Sequence, residues 1–194
     1  MKIFFPTFIE QKKLRISPAI HAELKKTSLK LPLLDEVGQK WSKKNYPNGY
    51  TSYGSLSKLH QQFSVFDELR KALDREALAF VKKVGLKFPH GKLELSSLWL
   101  NMMPKNCYHA FHLHPNSVVS GTYYLSLPKG ASPLRVEDPR TAFFMATPPR
   151  LIQFDLRPKE GEVVLFESWL KHEVPPHQSS QSRLSVSFNY DWVE

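Results

Sequence analysis

A single change of periodicity near Gly91 constrains the fold more than any other feature of this chain. Before it, apolar residues recur at intervals of three and four. After it, the chain breaks into short runs rich in β-branched and aromatic residues. Those runs are 93–103, 108–114, 118–127, 134–136, 151–154, 162–166 and 183–192, each bounded by Pro, Gly, Asn or Asp. No helical pattern of useful length separates them, so the helical crossovers that parallel strands need are missing. The pattern predicts an antiparallel sandwich or jelly roll. With helices first and strands afterwards the class is α+β, the helices buttressing one sheet.

The N-terminal half carries its own boundary signals. Residues 3–8 read as a strand, continued to 15 by an edge of mixed polarity. Ser17 followed by Pro18 marks a helix start, with serine as cap and proline in the first turn. A short helix to about Lys26 and a second over 34–44 follow, and Tyr46-Pro-Asn-Gly-Tyr breaks the pattern. The clearest helix is 64–84, with Ser64 as cap, Asp67 and Glu68 in the first turn and Gly85 beyond the end. Phe66, Leu69, Leu73, Ala77, Phe80, Val81 and Val84 form one apolar stripe on it. At 194 residues the chain is most simply one domain, 1–194, with a strand and supporting helices over 1–90 and the jelly-roll core over 91–194. The Pro-rich stretch 128–150 reads as long loops over the barrel mouth.

Composition narrows the setting. No run of eighteen apolar residues exists, so no transmembrane helix and no membrane partner is expected. The start, M-K-I-F-F-P-T-F, lacks a signal-peptide core, and a lone Cys107 excludes an intrachain disulfide, so the chain reads as soluble and cytoplasmic. The formal net charge is +9, and ten of the Lys and Arg residues lie in the first 44 positions. Solvated helix surface is the plain reading of that charge. A nucleic acid or other acidic partner is the lesser one, since no basic-aromatic RNA-binding motif accompanies it. Open edge strands would also allow a homodimer.

The chemistry lies in the strand-rich half. His112 and His114, in F-H-L-H-P-N-S, stand at i and i+2 of a strand and so share one face. His172, just past the strand G-E-V-V-L-F, offers a third imidazole. Three such ligands on one face of a six-coordinate metal leave the opposite positions open, the layout of non-haem Fe(II) oxygenases, whose usual set is two histidines and a carboxylate. Asp138 is an alternative ligand. His109 is one position out of phase and should face away, and His21, His60, His90 and His177 read as surface. Arg183 opens the alternating strand R-L-S-V-S-F-N-Y, sharing a face with Ser185 and Ser187. A buried guanidinium needs an anion, either an internal partner such as Asp138 or Glu137 or the carboxylate of a bound co-substrate, to which Ser185 would add a hydrogen bond. Tyr123, Asn101 and Trp99 are candidates to line a pocket, with core packing the simpler role for each, and Trp169 reads as structural. No catalytic residue beyond the metal centre is expected.

W-L-N-M-M (99–103), H-L-H-P-N-S-V-V-S-G-T-Y-Y-L (112–125), E-D-P-R (137–140), L-F-E-S-W-L-K-H-E-V-P-P (165–176) and R-L-S-V-S-F-N (183–189) together resemble a family of 2-oxoglutarate/Fe(II)-dependent oxygenases of bacteria and their phages. F-F-P-T-F and the helix at 64–84 resemble it too. The resemblance implies a double-stranded β-helix, an Fe(II) site, 2-oxoglutarate as co-substrate held by Arg183, and a small-molecule or peptide substrate that the match does not name. His-x-His stands where the wider superfamily has His-x-Asp, which leaves the metal site one unit more positive. Two other readings stay open. A cupin-type metalloenzyme also uses H-x-H, but it adds a Glu where Val118 and Val119 stand here and has no need of Arg183. A non-catalytic binding protein would use the basic surface.

Overall fold

Ser17 and Pro18 open the first helix as their chemistry requires, the Ser17 hydroxyl accepting the Ile20 N–H at 3.2 Å. The structure is a computed structural model and describes residues 1–88, 90–140, 142, 145 and 152–194. Helix α1 (Pro18–Leu34) runs past the expected stop at Lys26 because its buried stripe of Leu24, Ser28 and Leu31 continues, and Pro32 falls only in the last turn. Asp35 then caps α2 (Glu36–Asn45), accepting the Gly38 N–H at 2.8 Å. A short α3 (Leu59–Gln62) precedes α4 (Ser64–Val84). Ser64 is itself helical, with Phe63 in the cap position, and the helix ends at Gly85 in the left-handed region (φ 79°). Its buried stripe is Phe66, Leu69, Ala72, Leu73, Ala77 and Phe80, while Val81 and Val84 are only partly covered.

Ten strands are described: β1 (Ile9–Lys13), β2 (Tyr50–Thr51), β3 (Lys92–Met103), β4 (His109–His112), β5 (Val119–Ser126), β6 (Leu134–Glu137), β7 (Gln153–Leu156), β8 (Glu162–Glu167), β9 (His172–Val174) and β10 (Arg183–Val193). They form a major sheet, β1-β8-β5-β10-β3-β2, and a minor sheet, β4-β9-β6-β7, antiparallel throughout. This is the expected jelly roll in the α+β class.

Two expectations need correction. Ile3 to Phe8 form no strand: Pro6 has no N–H to donate, Phe5 sits at φ 54°, and pairing with β8 begins only at Ile9. Within the stretch 128–150 the strand read at 134–136 is present as β6, and residues 141, 143–144 and 146–150 fall outside the described residues. The strand expected over 151–154 is displaced to Gln153–Leu156, with residue 151 outside the described set.

The two faces of the major sheet do different work. Leu98, Leu100, Tyr123, Leu125, Leu184, Val186 and Phe188 pack with α1, α3 and α4 in one apolar cluster. The opposite face turns toward the minor sheet, and Tyr124, Val164 and Phe166 meet Leu134, Val136 and Val174 there. The register places Arg183 opposite Met103, Ser185 opposite Asn101 and Ser187 opposite Trp99. A polar seam, including Asn101–Ser187 at 3.0 Å and Thr122–Ser187 at 3.1 Å, thus lies between two apolar layers. No described helix is long and apolar enough to cross a membrane.

Candidate metal centre

His112 closes β4 and pairs directly across the ladder with His172, the first residue of β9. His114 lies two residues past the strand, tied by its N–H to the Ser168 carbonyl at 3.0 Å. The three imidazoles meet: each offers one ring nitrogen, all within 4.8 Å of one another. Ring centroids lie 4.2 Å apart for His112–His172, 5.2 Å for His114–His172 and 5.1 Å for His112–His114. Nδ1 of His112 faces the Ala110 carbonyl at 2.8 Å, and Nδ1 of His172 faces the Leu170 carbonyl at 2.8 Å. A carbonyl can only accept, so both Nδ1 atoms carry the proton and both Nε2 lone pairs are left for a ligand. Burial, with repulsion from the other imidazoles, pushes His172 down to about 3 and His114 down to about 4; burial also lowers His112. The rings are therefore neutral near pH 7, the state in which they bind metal.

His109 corrects the parity argument. Instead of facing away, its ring stacks on His112 at 4.0 Å between centroids and stands edge-on to Tyr46 at 5.4 Å. The register is irregular between His109 and His112, and that break brings both to one side. Burial, reinforced by the three neighbouring histidines and Arg183, holds His109 down to about 2. Asp138 takes no part: Arg140 binds its carboxylate at 2.7 Å, and it lies outside the group of ring nitrogens.

Arg183 is 2% exposed. Its Nη1 donates to Ser185 Oγ at 3.0 Å and to Met103 Sδ at 3.3 Å, and the guanidinium lies 5.1 Å from the centre of the Tyr124 ring. Neither suggested internal partner reaches it, because Glu137 pairs with Lys171 and Asp138 with Arg140. Among the described residues Arg183 makes no ion pair, and its Nε, the Tyr124 hydroxyl and the Tyr46 hydroxyl are buried without hydrogen-bond partners. A buried cation ringed by idle polar groups is costly unless an anion joins it. The donor set fits the carboxylate of a dicarboxylic acid.

Arg183 and the three histidines line one cavity of about 30 Å³, together with Tyr46, Trp99, Asn101 and Met103. Ser185 stands behind Arg183, fully buried. Trp99 and Asn101 line the cavity, but Tyr123 does not: it faces the helices, its hydroxyl 2.6 Å from His21 Nδ1. Sequence reasoning missed Tyr46, which lines the cavity, and Tyr124, whose ring lies under the Arg183 guanidinium. Trp169 is largely exposed. His177 is not surface either; it is fully buried, its Nε2–H donating to the Gln181 carbonyl at 2.8 Å.

Residues 97–189 match the model of a family described as "Putative 2OG-Fe(II) oxygenase". A search of curated protein sequences returns no match. Among solved structures, a prolyl-4-hydroxylase from Pseudomonas putida superposes with a TM-score of 0.68 at 17% identity, covering 97% of this chain and 94% of that one. HygX from Streptomyces hygroscopicus, with nickel and 2-oxoglutarate bound, gives 0.67 at 15% identity over 96% and 84%. The viral collagen prolyl hydroxylase of Paramecium bursaria Chlorella virus-1, in its 2-oxoglutarate complex, gives 0.62 at 13% over 96% of each chain. At these identities the structures establish the fold. Residues 97–189, just under half of the chain, are thus similar to the 2-oxoglutarate- and Fe(II)-dependent oxygenases.

Proposed function

We propose that His112, His114 and His172 hold Fe(II) through their free ring nitrogens, and that Arg183, backed by Ser185 and Tyr124, grips the far carboxylate of 2-oxoglutarate. The observation that carries this reading is one cavity lined by both a convergent imidazole trio and a buried guanidinium with no carboxylate of its own. Bound iron would let dioxygen act as the oxidant, its four electrons coming from decarboxylation of 2-oxoglutarate to succinate and from oxidation of an organic substrate. The chain's part is placement. The Ala110 and Leu170 carbonyls lock two ring tautomers, and Phe166, edge-on to His172 at 4.7 Å, and Leu134 shield the centre from water. Met103 holds the anchor position until a carboxylate displaces its weakly accepting sulfur from Arg183. The cupin alternative leaves Arg183 buried and unpaired for no purpose.

The substrate on this reading is a small molecule or a peptide. In support, structures of this fold include a prolyl-4-hydroxylase and HygX with hygromycin B bound. We further read 1–194 as one domain working in the cytoplasm, with a homodimer through an exposed edge strand such as β7, where Phe154 is 49% exposed. Anaerobic titration is expected to load one Fe(II) per chain and to fail in His172→Ala. Succinate release from 2-oxoglutarate is expected to vanish in Arg183→Ala while iron still binds. Full iron loading of His172→Ala, or undiminished succinate from Arg183→Ala, sinks the assignment.

A further inference from the structure

A second cavity, of about 230 Å³, opens beside the first and shares Tyr46, Trp99, His109, His112 and His114 with it. It offers the route by which a substrate reaches the histidines. Its walls are aromatic: Trp41 and Tyr53 meet at 6.3 Å and 64°, Tyr53 and Trp99 at 5.1 Å and 63°, and Trp99 adjoins His114 at 5.9 Å. Rings set at such angles do not close face to face on one another, so flat apolar surface is left for a ligand ring. The Trp41 ring is seated by design, since Gly54 lies against it and any Cβ there would run into the indole.

The polarity of the walls excludes several ligand types. Asn45, Thr51 and Asn189 add to the Tyr46 and Tyr53 hydroxyls and the three imidazoles as hydrogen-bonding groups, and among the described residues no carboxylate, lysine or arginine lines the cavity. Aromatic faces alone can attract a cation, but no carboxylate joins them here, and the chain's formal net charge of +9 opposes a cationic ligand. The helix that supplies Trp41 and Asn45 to the wall also carries lysines. On α2, Lys40 and Lys44 fall about 100° and 60° round the helix from Trp41 on one side, with Asn45 about 40° away on the other. Lys40, Lys43 and Lys44 are exposed, and none makes an ion pair among the described residues. These cations add to a chain whose formal net charge is already +9.

An uncharged flat pocket beside free lysines matches a ring joined to an anion. We propose that this cavity receives the base of a nucleotide, stacked against Trp41, Tyr53 and Trp99, with its phosphate on Lys40 and Lys44. The proposal rests on the iron-site reading for what happens to the base, and not for the binding itself. A free mononucleotide and an unpaired base in a single strand present the same chemistry to the pocket. In the second case the lysines of α2 track the backbone.

Calorimetric titration of the whole chain distinguishes these sources and tests the pocket without turnover. The probes are the four 5′-mononucleotides, their nucleosides, inorganic phosphate and a short single-stranded DNA. At least one mononucleotide is expected to bind more tightly than its nucleoside and than phosphate. Trp41→Ala is expected to weaken it about fivefold or more, the scale of one lost stacking contact. Lys40→Ala/Lys44→Ala, two exposed changes that leave the core alone, should erase the advantage over the nucleoside and flatten the salt dependence. Tighter binding of the oligonucleotide assigns the source to a strand, and equal binding to the free nucleotide. Absence of nucleotide binding, nucleotide no tighter than phosphate, or indifference to both variants overturns the proposal. Because metal is omitted, nucleotide binding in a chain that fails to load Fe(II) refutes the iron reading alone. Iron loading without nucleotide binding refutes the pocket alone.

Discussion

Arg183 carries an unusual burden for one residue: a buried charge whose hydrogen bonds go to a serine and a thioether. Replacing a buried ion by an apolar side chain of similar size is often neutral or stabilising. Arg183→Met is therefore expected to melt at or above the temperature of the parent when ligand-free, yet to release no succinate; a large loss of melting temperature would show that the charge is already compensated. His114→Asp restores a two-histidine, one-carboxylate set and removes the extra positive unit. It is expected to hold Fe(II) at least as tightly as the parent in a competition titration against a chelator. Legibility at this scale was uneven. His112 and His114 could be paired by spacing and His172 added from its place just past a strand, whereas His109 could not, because the register break that turns it inward leaves no mark in residue order. Tyr123 and Tyr124 were indistinguishable because β5 is buried on both faces, which removes the polar alternation that would have told inward from outward.

At the level of elements, periodicity located α4 and most strands of the jelly roll because those segments each bury one face or both. It failed at β1, where pairing with β8 starts only after Pro6, and in α1, whose buried serine interrupted the apolar count. The central strand β5 has one position with no room to vary. At Gly121 a Cβ would press on the Phe188 ring and on the Val164 carbonyl of β8, and a backbone oxygen in a sheet cannot withdraw as a side chain can. Gly121→Ala is expected to cost about 1–3 kcal/mol in denaturant unfolding, the usual range for overpacking. An unchanged midpoint would mean that β5 and β8 shift apart freely.

Across the whole molecule, the histidines make the metal-free protein sensitive to mild acid. Their folded-state values lie below the ordinary one near 6.5, so the unfolded chain takes up protons first as pH falls. Their contribution to stability is complete above about pH 6.5 and is lost progressively toward pH 4. Melting temperatures of metal-free protein should decline across that window, and the decline should shrink in His109→Ala/His114→Ala. The inter-sheet arrangement has a further outcome. The imidazoles belong to the minor sheet and its flanks, the guanidinium to the major one, and the apolar cluster between the sheets, Phe166 and Tyr124 within it, keeps them in step. A slight parting of the layers would uncouple the two halves of the centre while every helix and strand stayed intact. Heating should accordingly silence the enzyme several degrees before circular dichroism registers any melting, and truncating Phe166 should widen that gap.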